Sequence, residues 1–155
     1  THVDSSAASD VYKRQWKTQM SIFKDMKMMH MKYMVPVVVN RMNPDMLQKF
    51  IAFRLECCQE ELDETKNALD NRDKEEIVDG LIDLIVFAAG TLDILKVDGQ
   101  KAWEEVYKAN MNKEVGIKPE RPNPYGLPDL IKPDNWEAPT HGENTGILDK
   151  VFDKD

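Results

Sequence analysis

The sequence predicts an all-α protein: a four-helix bundle followed by a Pro-rich, extended C-terminal tail. Three observations predict it. Apolar side chains between residues 43 and 113 recur with helical spacing. Asn43-Pro44-Asp45, Asp73 and Asp98 are helix-start signals at the heads of three separate patterns. All prolines except Pro36 and Pro44 fall in the stretch KPERPNPYGLPDLIKPDNWEAP, which cannot sustain a helix.

A chain of 155 residues is long enough for one domain with a real core. The expected division is a disordered leader over 1–12, a helical catalytic domain over 13–113, and an extended tail over 114–155 that packs on the domain or on a neighbouring subunit. A net charge of −7 argues against nucleic acid as the main partner, because a phosphate backbone needs clustered Lys and Arg. Anionic small molecules remain open if divalent cations bridge them. Cys57 and Cys58 are adjacent and cannot form a disulfide framework, which fits a reducing cytoplasm. No apolar run approaches the ~20 residues a membrane-spanning helix needs, and the N-terminus lacks the apolar stretch of a signal peptide.

Residues 13–34 contain no Pro or Gly and read as a helix. Most of the nine methionines lie here, with Trp16, Phe23 and Tyr33. A Met-rich face can line a pocket or a subunit contact, and plain core packing is the preferred reading. His30 has no second His or Cys at metal spacing and is expected to be packed or on the surface. Residues 35–40 read as a short β-prone connector containing Pro36.

Asn43 caps a helix expected to end near Leu69. At ~100° per residue, Met46, Phe50, Phe53, Cys57, Glu60, Glu61, Glu64 and Ala68 share one stripe. Its first half is apolar and its second half acidic. Ile51, Leu55, Cys58, Leu62 and Leu69 form a second stripe, and two apolar faces on one helix predict a homodimer or homotetramer.

Asp73 caps the next helix, over 74–96. Glu76, Asp79, Asp83, Val86, Phe87, Gly90 and Ile94 share one stripe, and Ile77, Leu81, Leu84, Ile85, Ala88, Leu92 and Leu95 another. Apolar nearly all round, this helix should be innermost, with close helix approach at Gly80 and Gly90. A last helix opens at Asp98-Gly99 and is expected to reach Lys113, with Trp103, Val106, Asn110 and Lys113 on an inward face. The tail is expected to lack regular structure and to be ordered by packing, with Trp136 as anchor.

Carboxylates on core-facing stripes are costly unless a cation or a proton compensates them. Two antiparallel helices joined by about four residues bring Glu60, Glu61 and Glu64 beside Asp79 and Asp83. Hard oxygen donors without His or Cys select Mg²⁺, or Mn²⁺, over Zn²⁺, and open positions on Mg²⁺ point to phosphate chemistry. Glu56, Asp63 and Asp70 fit a solvated helix face instead. A di-iron bundle expects Glu-x-x-His on two helices, and His2, His30 and His141 do not supply it.

The EExxE of Glu60-Glu61-Leu62-Asp63-Glu64, the DGLIDL run from Asp79, Gly90-Thr91 and the late ANMNK over 109–113 resemble the MazG-type all-α nucleoside triphosphate pyrophosphohydrolases. That superfamily includes dimeric dUTPases and phosphoribosyl-ATP pyrophosphohydrolases, and the likeness covers about residues 44–113. It implies cleavage between the α- and β-phosphates, giving a nucleoside monophosphate and pyrophosphate. By position, Glu61 and Glu64 would be metal ligands, and Glu60 a ligand or the group orienting the attacking water. Asp83 matches the Asp of the second motif, usually ExxD. Gly80 stands where that Glu would be, with Asp79 as its substitute and Glu76-x-x-Asp79 as a competing alignment. Asn110 and Lys113 match positions that contact phosphate or sugar. Arg54 could also reach phosphates, although a surface role is equally open.

The expected function is therefore Mg²⁺-dependent hydrolysis of a nucleoside triphosphate, clearing non-standard nucleotides or adjusting nucleotide pools. The alternatives are phosphoribosyl-ATP or dUTP as substrate, and a non-catalytic bundle that binds a nucleotide or a partner protein.

Overall fold

The computed structural model describes residues 21–121, 123–126 and 128–152. The expected leader and the first part of the Met-rich helix, Trp16 and Met20 included, lie outside the described residues. The elements run α1 (Ile22–Lys32), α2 (Val35–Val39), α3 (Pro44–Asp70), α4 (Lys74–Ile94), α5 (Gly99–Met111), β1 (Glu114–Gly116), β2 (Asp129–Ile131) and α6 (Asp149–Phe152). The fold is helical apart from one two-stranded sheet, as the sequence predicts. No described helix is long and apolar enough to cross a membrane.

The capping signals act as read. Asn43 accepts from the Met46 amide at 2.8 Å, Asp73 from Glu76 at 3.1 Å and Asp98 from Lys101 at 3.0 Å. Each satisfies an amide that the first helical turn leaves unpaired. The helix ends are less ordinary. Met34, Arg72 and Lys96 follow α1, α3 and α4 with φ of 58°, 58° and 60°. These are left-handed positions where glycine is usual. After α3, Asp73 donates to the Ala68 carbonyl and Arg72 to that of Leu69, the two bonds that close a helix and turn the chain back.

That reversal lays α4 antiparallel along α3. α4 is also the hub against which α1, α2 and α5 pack. It is not innermost in the sense expected, because Val78, Leu81, Ile82 and Ile85 remain exposed along one face. Leu55, Leu62 and Leu69, one heptad apart on α3, are exposed as well. Among the described residues only one layer is set against α3 and α4, and their second faces find no partner there.

The hydrophobic core sits away from the α3–α4 turn. It joins Val39 of α2, Leu47 of α3, Ile94 of α4 and Val151 of α6, with Phe50, Ile51 and Ile147 against them. The expected β-prone connector is the helix α2: Met34 breaks the chain direction, and Pro36 falls in the first turn, where its missing N–H is harmless. Among the described methionines of the Met-rich helix, core packing holds for Met26. Met28, Met31 and Met34 are exposed.

The tail also departs from expectation. Glu114, Val115 and Gly116 pair antiparallel with Ile131, Leu130 and Asp129, so part of it is ordered by backbone hydrogen bonds. Gly146 passes so close to the Leu95 backbone that a Cβ there would collide with it, and Ile147 donates to the Leu95 carbonyl at 2.8 Å. Asn144 pairs with the Asp98 backbone twice, at 2.8 and 2.9 Å. Trp136 donates to the Ala109 carbonyl at 2.6 Å. α5 stops at Met111, and Trp103 and Asn110 are exposed rather than inward. The buried positions of α5 are Gly99 and Ala109, because this helix meets the others through its small residues.

Candidate active site

The acidic side chains lie on the α3–α4 hairpin, near its turn. Glu60, Glu61 and Glu64 are on the last half of α3, and Asp79 and Asp83 on the first half of α4. Their mutual placement is set where Gly80 meets Thr65. A Cβ at position 80 would meet the Thr65 side chain, with the Thr65 Cβ only 3.3 Å away. The Thr65 hydroxyl meanwhile donates to the Glu61 carbonyl at 2.7 Å. A side chain at position 80 would have to displace Thr65 in this packing, and the acids of α4 stand at 79 and 83 on either side of it.

Glu61 and Asp83 are half-buried, and Glu60, Glu64 and Asp79 are exposed. Glu61 is the focus. Partial burial makes its carboxyl harder to ionise than usual, and the charges of Asp83, Glu64, Glu60 and Asp79 add to this. Four carboxylates from two helices therefore bear on one. Glu76, the competing residue one turn earlier, is exposed and is not among the groups acting on Glu61. Among the described residues no Lys or Arg lies within salt-bridge distance of any of the five. The repulsion is thus uncompensated from within the described chain. As the side chains lie, no three His, Cys, Asp or Glu residues of the described set stand close enough to hold a metal ion together.

Arg54 is committed elsewhere. Its Nε donates to Thr91 Oγ1 at 3.1 Å and its Nη2 to the Phe87 carbonyl at 3.1 Å, with the guanidinium over the Phe87 ring. Burial makes this guanidinium easier to deprotonate than usual, an effect opposed by Cys57 and Cys58. Lys113 donates to Asn110 Oδ1 at 2.8 Å and lies 5.4 Å from the Trp136 ring. The structure thus joins Asn110 and Lys113 to each other and to the tail. Cys57 is buried, and burial and then Glu60 raise its thiol further, so it behaves as a small hydrophobe. Glu56, Asp63 and Asp70 are exposed, as expected of a solvated face.

Sequence reasoning missed Thr65, which spaces the two helices, and the pairing of His30 with Asp93. His30 is buried and its Nδ1 lies 2.6 Å from Asp93 Oδ2. The partners are far apart in the chain, and no spacing rule connects them.

No curated protein and no solved structure matches the chain significantly. Residues 40–110, just under half of the chain, match the family model of phosphoribosyl-ATP pyrophosphohydrolase. That span runs from the end of α2 almost to the end of α5 and holds all five acidic candidates. The likeness supports an enzyme of the nucleotide pyrophosphohydrolase type, broadly a hydrolase.

Proposed function

We propose that the chain is a Mg²⁺-dependent nucleoside triphosphate pyrophosphohydrolase, releasing a nucleoside monophosphate and pyrophosphate. One observation carries the reading: the charges of Asp83, Glu64, Glu60 and Asp79 all bear on Glu61, and among the described residues no Lys or Arg lies within salt-bridge distance of any of them. An all-oxygen, uncompensated donor set suits Mg²⁺, with Mn²⁺ as a second choice. Glu61, Glu64, Asp79 and Asp83 would hold the cation, leaving Glu60 to act on the attacking water. When bound, the cation neutralises phosphate charge and polarises the attacking water.

The chain's own residues do the rest. Glu60 and Glu61 orient that water, and Glu60, the more exposed of the two, takes up its proton. Thr65 and Gly80 keep the two helices at the separation that lets both acidic groups face one phosphate chain. The exposed faces of α3 and α4 support a homodimer or homotetramer, since a second copy offers the apolar layer they lack.

Phosphoribosyl-ATP is the second reading for the substrate, favoured by the family matched over residues 40–110. A panel of canonical and modified nucleoside triphosphates, dUTP and phosphoribosyl-ATP, scored for pyrophosphate with and without Mg²⁺, decides between them. Turnover of the triphosphates supports the first reading, and turnover confined to phosphoribosyl-ATP the second. Binding without turnover on any member would overturn both.

A further inference from the structure

A second charged region lies at the other end of α4. A cleft of about 650 Å³ opens between α1, α2, the end of α4 and the start of α5. Its volume falls in the range of small-molecule pockets. Lys24, Lys27 and Lys96 line it, three cations together on a chain of net charge −7.

The acids in its wall form no ion pair with them. Asp93 is taken by His30, at 2.6 Å, and Asp98 by the Lys101 amide that it caps. Among the described residues none of the three lysines lies within salt-bridge distance of a carboxylate. Lys96 is held instead by Asn40 Oδ1 at 3.0 Å, which keeps its ammonium at the cleft without neutralising it. His30 is buried, lines the cleft, and is oriented by Asp93 through Nδ1. Its Nε2 has no hydrogen-bond partner among the described residues.

The cleft is framed by specific contacts. Phe23 sits on Gly99, where any Cβ would collide with its ring, and Ser21 donates to Gln100 Oε1 at 3.2 Å. These two contacts join α1 to the start of α5. The remaining wall is apolar, including Met31, Val35 and Ile94. Cations around an apolar floor suit a ligand with an anionic group on a nonpolar body.

We propose that this cleft is a second, metal-independent site for a phosphorylated small molecule. Its phosphate lies among Lys24, Lys27 and Lys96, and its nonpolar part lies against Met31, Val35 and Ile94. Lysines, unlike the carboxylates of the hairpin, bind a phosphate without a bridging cation, so the two sites differ in their need for metal.

The test is titration of the full chain with adenosine 5′-monophosphate in EDTA, by calorimetry and by amide NMR shifts. Saturable binding is expected, with shifts at Lys27, Gly99 and Gln100 rather than at Glu61 or Asp83. The double variant Lys27→Gln/Lys96→Gln should bind about tenfold more weakly, the scale of two surface charges lost. Glu61→Gln should bind as the wild type does. Adenosine and inorganic phosphate, titrated separately, divide the affinity between the floor and the lysines. No metal-free binding, binding indifferent to the double variant, or shifts centred on Glu61 would each overturn the proposal. Because the readout uses no turnover, its failure is distinct from a failure to release pyrophosphate.

Discussion

Gly80 of α4 lies against Thr65 of α3 so closely that a Cβ on it would press into the threonine side chain. The contact sets the spacing of the two acid-bearing helices, and it is open to a double-mutant cycle. Gly80→Ala adds helix propensity of about 1 kcal/mol, yet overpacking costs about 1–3 kcal/mol. The expected net loss is up to about 2 kcal/mol in urea unfolding. Thr65→Ala in the same chain should restore most of it, because the remaining Cβ is 3.3 Å away. Equal losses with and without Thr65 would place the strain elsewhere.

Glu61→Gln and Asp83→Asn remove one acid each from opposite helices of the candidate site. Each should lower Mg²⁺-dependent pyrophosphate release by about 10²-fold or more, with helical circular dichroism unchanged. Turnover like that of the wild type in either variant would remove the hairpin from the reaction.

The proton affinity of Glu61 makes a separate prediction about stability. Partial burial, and then Asp83, Glu64, Glu60 and Asp79, raise its pKa in the folded chain above the ordinary 4.5. The folded state thus keeps the proton to higher pH than the unfolded state. Stability must fall as pH rises from the unfolded value through the folded one, and stays lower beyond it. Without metal, Glu61→Gln should therefore melt above the wild type at neutral pH, and the gap should close in acid. Mg²⁺ should raise the wild-type melting temperature at neutral pH, by about 2.7 kcal/mol of stability at a hundredfold excess over Kd. Thermal melts at both pH values, in EDTA and in Mg²⁺, check the sign.

Trp136 ties the tail to α5 through a 2.6 Å bond from its indole N–H to the Ala109 carbonyl. Trp136→Phe keeps most of the ring and leaves that carbonyl unpaired, which should cost about 1–2 kcal/mol. Val151→Ala, in the core beside Leu47 and Ile94, should cost about 1–2 kcal/mol more by opening a cavity. Chemical denaturation of the two variants measures both. If neither shifts the midpoint, the tail contributes nothing to the fold.

Arg72 holds φ at 58° in the turn between the acidic helices. Arg72→Gly relieves a left-handed side chain and should stabilise the chain by about 0.5–1 kcal/mol, with pyrophosphate release unchanged. A midpoint that falls instead would assign the arginine side chain a contact of its own.

Much of this protein was legible in the order of its residues. Asn43, Asp73 and Asp98 cap helices because a short polar side chain followed by a helix-forming run offers an acceptor where amides lack one. The stripes on α3 and α4 separated Glu61 from Asp63 by angle alone, and Gly80 and Gly90 marked close approaches because a missing Cβ is a local property. Tertiary structure decided the rest, since the deciding contacts join residues remote in the chain. Thr65 packs against Gly80 where a side chain would collide with it, and Asp93 pairs with His30 across 63 positions. The tail, expected to pack on the domain or on a neighbouring subunit, supplies Val151 and Ile147 to the core. Arg54 shows the same limit. Its charge was readable, but its two donated bonds to α4 depend on which helix lies beside it, and periodicity within one helix carries no information about its neighbour.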